Sequence, residues 1–237
     1  MALETFAEEL AHVRARIARA AERSGRAAGA VRLIGASKTV PAERLLEALA
    51  LGLREFGENR VQEAEGKIPA VNAVQSPQGA VPRWHLIGHL QSNKARRAAA
   101  LFDVVQSVDS VKLAQALDRH AADLDRRLEV LIEVNTSGEA QKSGVAPADA
   151  LALMSEARKL PRLDVRGWMT VGPLVERPDD ARPAYRVLAR LLAQAQEAWP
   201  EAQLTELSMG MSGDYDVAIE EGATLVRIGS ALFGARR

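Results

Sequence analysis

The chain contains no cysteine, which excludes disulfide bonds, thiol nucleophiles and thiolate metal ligands. Its four histidines are scattered without the spacing of a zinc motif, so we expect no metal site. Aromatic residues make up only 4% of the sequence, and no basic run is interleaved with them as a nucleic-acid groove would need. The 31 basic and 31 acidic residues cancel. We therefore expect no nucleic-acid partner.

Long apolar runs are also missing. No uncharged stretch is long enough to span a bilayer, and Glu4, Glu8 and Glu9 stand where a signal peptide would be apolar. We therefore expect a cytoplasmic protein with no membrane partner. Hydrophobic residues nevertheless account for 47% of the 237 positions, which is ample for one large buried core.

Helical and strand-like patterns alternate along most of the chain. An amphipathic helix is predicted over residues 1–25, because apolar residues recur three and four positions apart. Eight β-rich runs follow, each leading into a helical pattern: 31–37, 54–57, 84–88, 102–107, 128–135, 163–169, 204–208 and 224–229. A loop rich in Pro, Gly and Ser precedes the third run, around residues 76–82.

Eight strand–helix units predict an α/β fold, a single (β/α)8 TIM barrel over residues 31–234 with an extra N-terminal helix. An open, doubly wound sheet would need a glycine-rich fingerprint after the first strand, and none is present. No linker divides the pattern, so we expect one domain over residues 1–237.

Lysine is scarce, with six residues against twenty-five arginines. One of them, Lys38, follows the first run at its carboxyl end, just before a helix that begins at Pro41. In a barrel this end of the strands carries the chemistry, and a partly buried amine there can attack a carbonyl group. Because arginine cannot form a Schiff base, Lys38 is the main candidate for one.

Four of the other lysines lie among polar neighbours on helical patterns and are interpreted as solvated charges: Lys67, Lys94, Lys112 and Lys159. Lys142 differs because it lies on the carboxyl side of the fifth run. It is interpreted either as a surface residue or as a second contact to a ligand.

Small and hydroxyl-bearing residues cluster after the seventh and eighth runs, at Ser208–Gly213 and at Gly229 and Ser230. Small residues let backbone N–H groups approach an anion, and the amino end of the short helix opening at Asp214 adds positive potential. Tight turns alone would also explain the composition. Because phosphate sites recur after strands seven and eight of such barrels, the segments predict a phosphate site.

Arg227 lies among the apolar residues of the eighth run. A buried guanidinium needs a carboxylate or a polar ligand. An ion pair with Glu133 or Glu206 is one explanation, and contact with a pyridine nitrogen in the barrel mouth is the other. An arginine facing a pyridine nitrogen would keep that nitrogen unprotonated and moderate the reactivity of such a cofactor.

Other side chains near strand ends give weaker signals. His85 in the third run is typical of a satisfied core histidine close to a site. Asn59 and Asn135 follow the second and fifth runs, where each amide either bonds a ligand or caps the next helix. Met169 ends the sixth run, where methionine fills a gap or contacts a cofactor.

Six motifs, in matching order over nearly the whole chain, resemble the pyridoxal phosphate homeostasis protein family. They are Ala36–Thr39, Phe56–Glu63, Trp84–Lys94, Lys142–Gly144, Leu207–Ser212 and Val226–Gly234. The resemblance implies a barrel like that of alanine racemase without its second domain. Departures are small: His89 stands where proline or glutamine is expected and Ser230 where threonine is common, and Gly172-Pro173 interrupts a turn.

The resemblance implies that Lys38 holds pyridoxal 5′-phosphate (PLP) as a Schiff base, that the serine and glycine segments bind its phosphate and that Arg227 faces its ring nitrogen. The expected cofactor-binding residues are Lys38, Asn59, His85, Met169, Ser208, Met209, Gly210, Ser212, Arg227, Gly229 and Ser230. No catalytic residue is assigned.

The function implied is that of a non-catalytic PLP carrier or buffer in PLP homeostasis, with PLP-dependent apo-enzymes as possible recipients. An amino-acid racemase is the alternative, but racemisation needs a base on each face of the α-carbon. The related racemase takes its second base, a tyrosine, from the missing domain, and Tyr215 is the sole candidate here, since Tyr185 should pack outside the barrel. A Schiff-base lyase acting on a sugar phosphate would leave Arg227 unexplained. We expect a monomer.

Overall fold

The computed structural model describes residues 3–74, 81–139 and 141–234, with side chains from Phe6 onward. Eight parallel strands close into a barrel in sequence order, and β8 pairs with β1. The strands are β1 (Arg32–Ala36), β2 (Glu55–Glu58), β3 (Arg83–Leu86), β4 (Val104–Val108), β5 (Leu128–Glu133), β6 (Leu163–Met169), β7 (Glu206–Ser208) and β8 (Leu225–Ile228). The predicted (β/α)8 barrel is confirmed. Most of the predicted loop around residues 76–82 falls outside the described residues.

Helices surround this barrel. They are α1 (Leu3–Arg23), α2 (Ala42–Ala50), α3 (Val61–Asn72), α4 (Ala95–Leu101), α5 (Val111–Asp123), α6 (Ala150–Arg158), α7 (Arg182–Ala198), α8 (Tyr215–Glu220) and α9 (Ser230–Phe233). Their apolar faces pack on the outer faces of the strands to form one continuous core. Of the helices in the described ranges, none is both long and apolar enough to cross a bilayer.

A second, smaller apolar cluster fills the inside of the barrel with Ile34, Leu131, Met169 and Leu225. Side chains two positions apart on a strand share a face. Glu133 and Arg227, which come two residues after Leu131 and Leu225, therefore also point inward and lie nearer the carboxyl ends of their strands. The mouth of the barrel above the apolar cluster is consequently polar.

The last strand–helix unit is short, because α9 has only four residues. The N-terminal helix α1 packs against α8 and α9 and fills the space that a longer final helix would take. The rings of Phe6 and Phe233 stack with centroids 5.5 Å apart, and Arg16 pairs with Asp216 at 2.8 Å. The first helix thus completes the ring of helices around the barrel.

Candidate functional site

Lys38 lies in the turn directly after β1 and is half-buried. Among the described residues, none forms a hydrogen bond or ion pair with its amine. The next residue, Thr39, has a left-handed backbone with φ 64°, which is unusual for a β-branched residue. The turn therefore presents a free amine at the rim of the barrel.

A buried cluster holds this turn, and we call Ser37, Glu58, Glu63 and Lys67 the Lys67 clamp. The Lys67 ammonium donates to the Ser37 carbonyl at 2.8 Å, to Glu58 Oε1 at 2.7 Å and to Glu63 Oε1 at 2.8 Å. The Ser37 hydroxyl donates to Glu58 Oε1 at 2.6 Å, and the Thr39 N–H donates to Glu63 Oε1 at 2.6 Å. Burial raises the pKa of Glu58, although Lys67 and Ser37 oppose the shift.

The interpretation of Lys67 as a solvated charge was wrong, since the residue is only 8% exposed. Its polar neighbours on α3 are partners rather than a solvated face, because α3 packs beside the end of β1. Glu63 and Lys67 are four residues apart, a spacing that places two side chains together on a helix. That spacing, next to Glu58 at the end of β2, was the signal that could have found the clamp.

The loops after β7 and β8 meet beside the end of β1. The N–H groups of Gly229 and Ala231 converge on the Ser212 hydroxyl oxygen, at 3.3 and 3.5 Å. A Cβ added at Gly229 would lie 3.2 Å from the carbonyl oxygen of Ala36, the last residue of β1. Two amides that converge on one oxygen make a cradle suited to an anion, close to the strand that carries Lys38.

Asp214 fixes the loop after β7. Its Oδ1 accepts the N–H of Met211 and its Oδ2 accepts the Tyr185 hydroxyl, both at 2.7 Å. Burial, together with the charge of Asp214, raises the pKa of Tyr185. The tyrosine is therefore a neutral donor that ties this loop to α7.

Arg227 is buried in the barrel and donates to the Ser208 hydroxyl and to the Thr170 carbonyl, both at 2.6 Å. Neither of the two ion pairs considered for Arg227 is present among the described residues. Glu206 instead pairs with Arg32 at 2.9 Å, and Glu133 forms no ion pair with Arg227. Burial lowers the pKa of Arg227, and the nearby carboxyl groups of Glu133 and Asp214 oppose this.

A chain of polar side chains continues from Arg227 across the barrel. The Ser208 hydroxyl donates to Gln106 Oε1 at 2.6 Å, and Gln106 Nε2 lies 3.0 Å from His85 Nδ1. His85 Nε2 is 3.0 Å from Glu55 Oε2, close but not aligned for a good hydrogen bond. This row of polar side chains links β8, β7, β4, β3 and β2.

The chemistry of these groups decides which atom donates and which accepts at each hydrogen bond. Arg227 can only donate, so the Ser208 oxygen accepts and its proton goes to Gln106. The Gln106 NH₂ group then faces His85 Nδ1, which must accept. This assigns the histidine proton to Nε2, toward Glu55. The chain therefore holds the guanidinium of Arg227 in one orientation.

Glu133 is a buried carboxyl group in the mouth of the barrel. It is 4% exposed, and its Oε2 is buried without a hydrogen-bond partner among the described residues. Burial and the charge of Asp109 raise its pKa to about 7, although Arg227 opposes the shift. The carboxyl group thus titrates near neutral pH.

We predict that Glu133→Gln stabilises the protein above about pH 8 by roughly 3 kcal/mol. The raised pKa means that the folded state holds a proton that the unfolded state loses, so the wild type loses stability as pH rises from the unfolded pKa toward about 7. Urea midpoints of both proteins, measured from about pH 4 to pH 8, check this. Equal differences at both ends of the range would contradict it.

Comparisons with known proteins identify the family of the chain. The family model "Alanine racemase, N-terminal domain" matches residues 9–237. Pyridoxal phosphate homeostasis proteins are 46% identical in Pseudomonas aeruginosa, over 99% of this chain and 97% of the relative, and 43% identical in Aquifex aeolicus, over 97% and 98%.

This chain belongs to the pyridoxal phosphate homeostasis protein family. PipY of Synechococcus elongatus, solved with PLP bound, superposes with a TM-score of 0.83 at 38% identity and covers 97% of this chain and 100% of its own. The resemblance stated from six sequence motifs is thus confirmed.

Four further residues expected to bind the cofactor lie in four different settings. Asn59 is half-buried, and the cap of α3 is Arg60, with no side-chain capping bond. Met169 lies inside the barrel, whereas Met209 packs in the core between sheet and helices, so that only its backbone can face the mouth. Ser230 is exposed at the start of α9.

Two residues after β5 organise a loop. Asn135 Nδ2 donates to the carbonyls of Glu139 and Lys142 at 2.9 and 3.2 Å. The Lys142 ammonium donates to the Gly172 carbonyl at 2.9 Å and pairs with Glu139 at 2.6 Å. Both side chains therefore fasten the loop that borders the mouth.

Proposed function

We propose that this protein binds PLP as a Schiff base on Lys38 and holds it for the cellular supply of the cofactor, without substantial catalysis. One observation carries the proposal: a free amine ends β1 beside a cradle in which two backbone amides converge on one oxygen. When bound, PLP supplies an aldehyde that condenses with the amine. The side chains of the mouth then bind and orient it.

The residues present fit such a molecule. The amides of Gly229 and Ala231, with the Ser212 hydroxyl, suit a phosphate. Arg227, oriented through Ser208, is a donor suited to an unprotonated ring nitrogen. An arginine at that nitrogen keeps the ring a weak electron acceptor, which favours storage over carbanion chemistry. We further propose PLP-dependent apo-enzymes as recipients.

The positions of the tyrosines support a carrier rather than a racemase. Tyr215 is fully buried, and the guanidinium of Arg16 on α1 covers its ring at 4.7 Å. The Tyr185 hydroxyl is committed to Asp214. Neither phenol is placed as a free second base opposite Lys38.

Borohydride reduction tests the attachment. Protein incubated with PLP and reduced should carry the adduct on the peptide that contains Lys38, as read by mass spectrometry. The other five lysines serve as internal controls. An adduct found only on those lysines would refute the assignment.

The racemase alternative has a separate test. The PLP-loaded protein is mixed with L-alanine, and D-alanine is followed by chiral chromatography. We expect no turnover above a slow background exchange. Rapid, sustained formation of D-alanine would replace the carrier proposal with the racemase.

A further inference from the structure

The Lys67 clamp satisfies every donor of a buried ammonium. A lysine side chain has three N–H donors, and those of Lys67 meet a backbone carbonyl and two carboxylates within 2.8 Å. Burying a polar group costs free energy unless such partners satisfy its hydrogen-bonding groups. The three acceptors therefore fix the position of the Lys67 Nζ.

The partners of Lys67 hold the turn on both sides of Lys38. The ammonium bonds the carbonyl of Ser37, the residue before Lys38. It also bonds Glu63, whose Oε1 accepts the N–H of Thr39, the residue after Lys38. The clamp therefore grips the backbone on both sides of Lys38 and leaves the Lys38 side chain without a partner among the described residues.

The turn also needs to be held. A β-branched residue rarely adopts the left-handed backbone of Thr39, and such conformations persist only where surrounding contacts impose them. The bond from Thr39 N–H to Glu63 supplies that contact at 2.6 Å. Without it, Thr39 is expected to relax to an extended backbone and to turn Lys38 away from the cradle formed by Gly229 and Ala231.

We propose that Lys67 and Glu63 are positioning residues that hold the backbone of Lys38 so that its amine faces the anion cradle. The inference rests on the proposed function, because it concerns the amine that binds PLP. Glu58 accepts hydrogen bonds from the Lys67 ammonium and from the Ser37 hydroxyl. It therefore supports Lys67 and Glu63 in this role.

Amide hydrogen exchange of the protein without PLP tests the clamp alone. Glu63→Ala removes the acceptor of the Thr39 N–H, whereas Glu63→Gln keeps a side-chain oxygen there. We expect exchange in the segment 37–40 to speed up by about tenfold or more in the alanine variant and to stay near wild type in the glutamine variant. Unchanged exchange in Glu63→Ala would overturn the proposal.

The rate at which borohydride traps PLP on Lys38 tests the consequence. Lys67→Met alone leaves Glu58 buried and unpaired, so the informative variant is the double substitution Glu58→Gln/Lys67→Met, with the exposed Lys112→Met as the matched control. We expect trapping at saturating PLP to slow by about tenfold or more in the double variant and not in the control.

Competition by inorganic phosphate separates a positioning role from a general loss of structure. The affinity of the protein for phosphate should change by less than about twofold in the double variant, because the cradle lies on other loops. Parallel loss of phosphate affinity and trapping would indicate a merely structural role and overturn the proposal, as would trapping at the wild-type rate. If the wild type itself traps no PLP on Lys38, the proposed function fails instead, and the exchange experiment still decides the clamp.

Discussion

Replacing Lys38 by alanine is expected to abolish the visible absorption band and the borohydride adduct that the proposed Schiff base gives with PLP. Lys67 and Lys142 are poor substitutes, because Lys67 is committed to three acceptors and Lys142 to two. The amine of Lys38 has no partner among the described residues, so its loss should change the free energy of unfolding by no more than about 0.5 kcal/mol. Absorption spectra and thermal unfolding of the variant measure the two effects.

The matched control for Lys38→Ala is Lys112→Ala, which removes an exposed amine on α5. It should retain both the band and the adduct. A visible band that persists in Lys38→Ala with full intensity would mean that the Schiff base forms elsewhere.

Gly210→Ala is expected to lower the free energy of unfolding by roughly 2–4 kcal/mol. Gly210 has φ 91°, and a Cβ there would lie 2.5 Å from the Cβ of Ala218 and 3.0 Å from the Cα of Tyr215. Helix α8 or the loop after β7 must therefore shift in the variant to make room for the methyl group. Because that loop carries Ser212, PLP affinity should fall by about a hundredfold. Urea unfolding and equilibrium dialysis measure the two changes.

Gly213→Ala is the control from the same loop, since a Cβ there meets nothing within 4 Å. It should leave stability and affinity near wild type. Adding Ala218→Gly to Gly210→Ala should restore only part of the stability, because it removes the steric contact but not the left-handed strain. Wild-type behaviour of Gly210→Ala would show that the loop yields freely and does not form a rigid cradle.

The strands and their rim could be predicted because their signals are local. The run Leu163–Met169 is continuous in sequence and is the observed β6. A residue that ends or follows such a run lies at the carboxyl end of a strand, so the sequence predicts that Lys38, Ser212 and Gly229 lie near one another. The reason is that the parallel strands of a closed barrel all have their carboxyl ends at the same rim.

The supporting contacts could not be predicted in the same way because they join distant parts of the chain. Ser208 and Gln106 are 102 residues apart, and Lys67 and Ser37 are 30 apart. Which face of α3 turns toward β1 depends on packing that no local pattern records. Gln106 was nevertheless visible as a lone amide in the apolar strand β4, an anomaly of the same kind as Arg227.

The way α1 fills the gap beside α9 brings the first and last helices of the chain together. Phe6 touches Phe233, and the cradle of Gly229 and Ala231 forms only when β8 has paired with β1. A growing chain on the ribosome cannot contain the anion cradle until β8 and the residues after it have been synthesised. Capture of the cofactor at this cradle must therefore follow the pairing of β8 with β1.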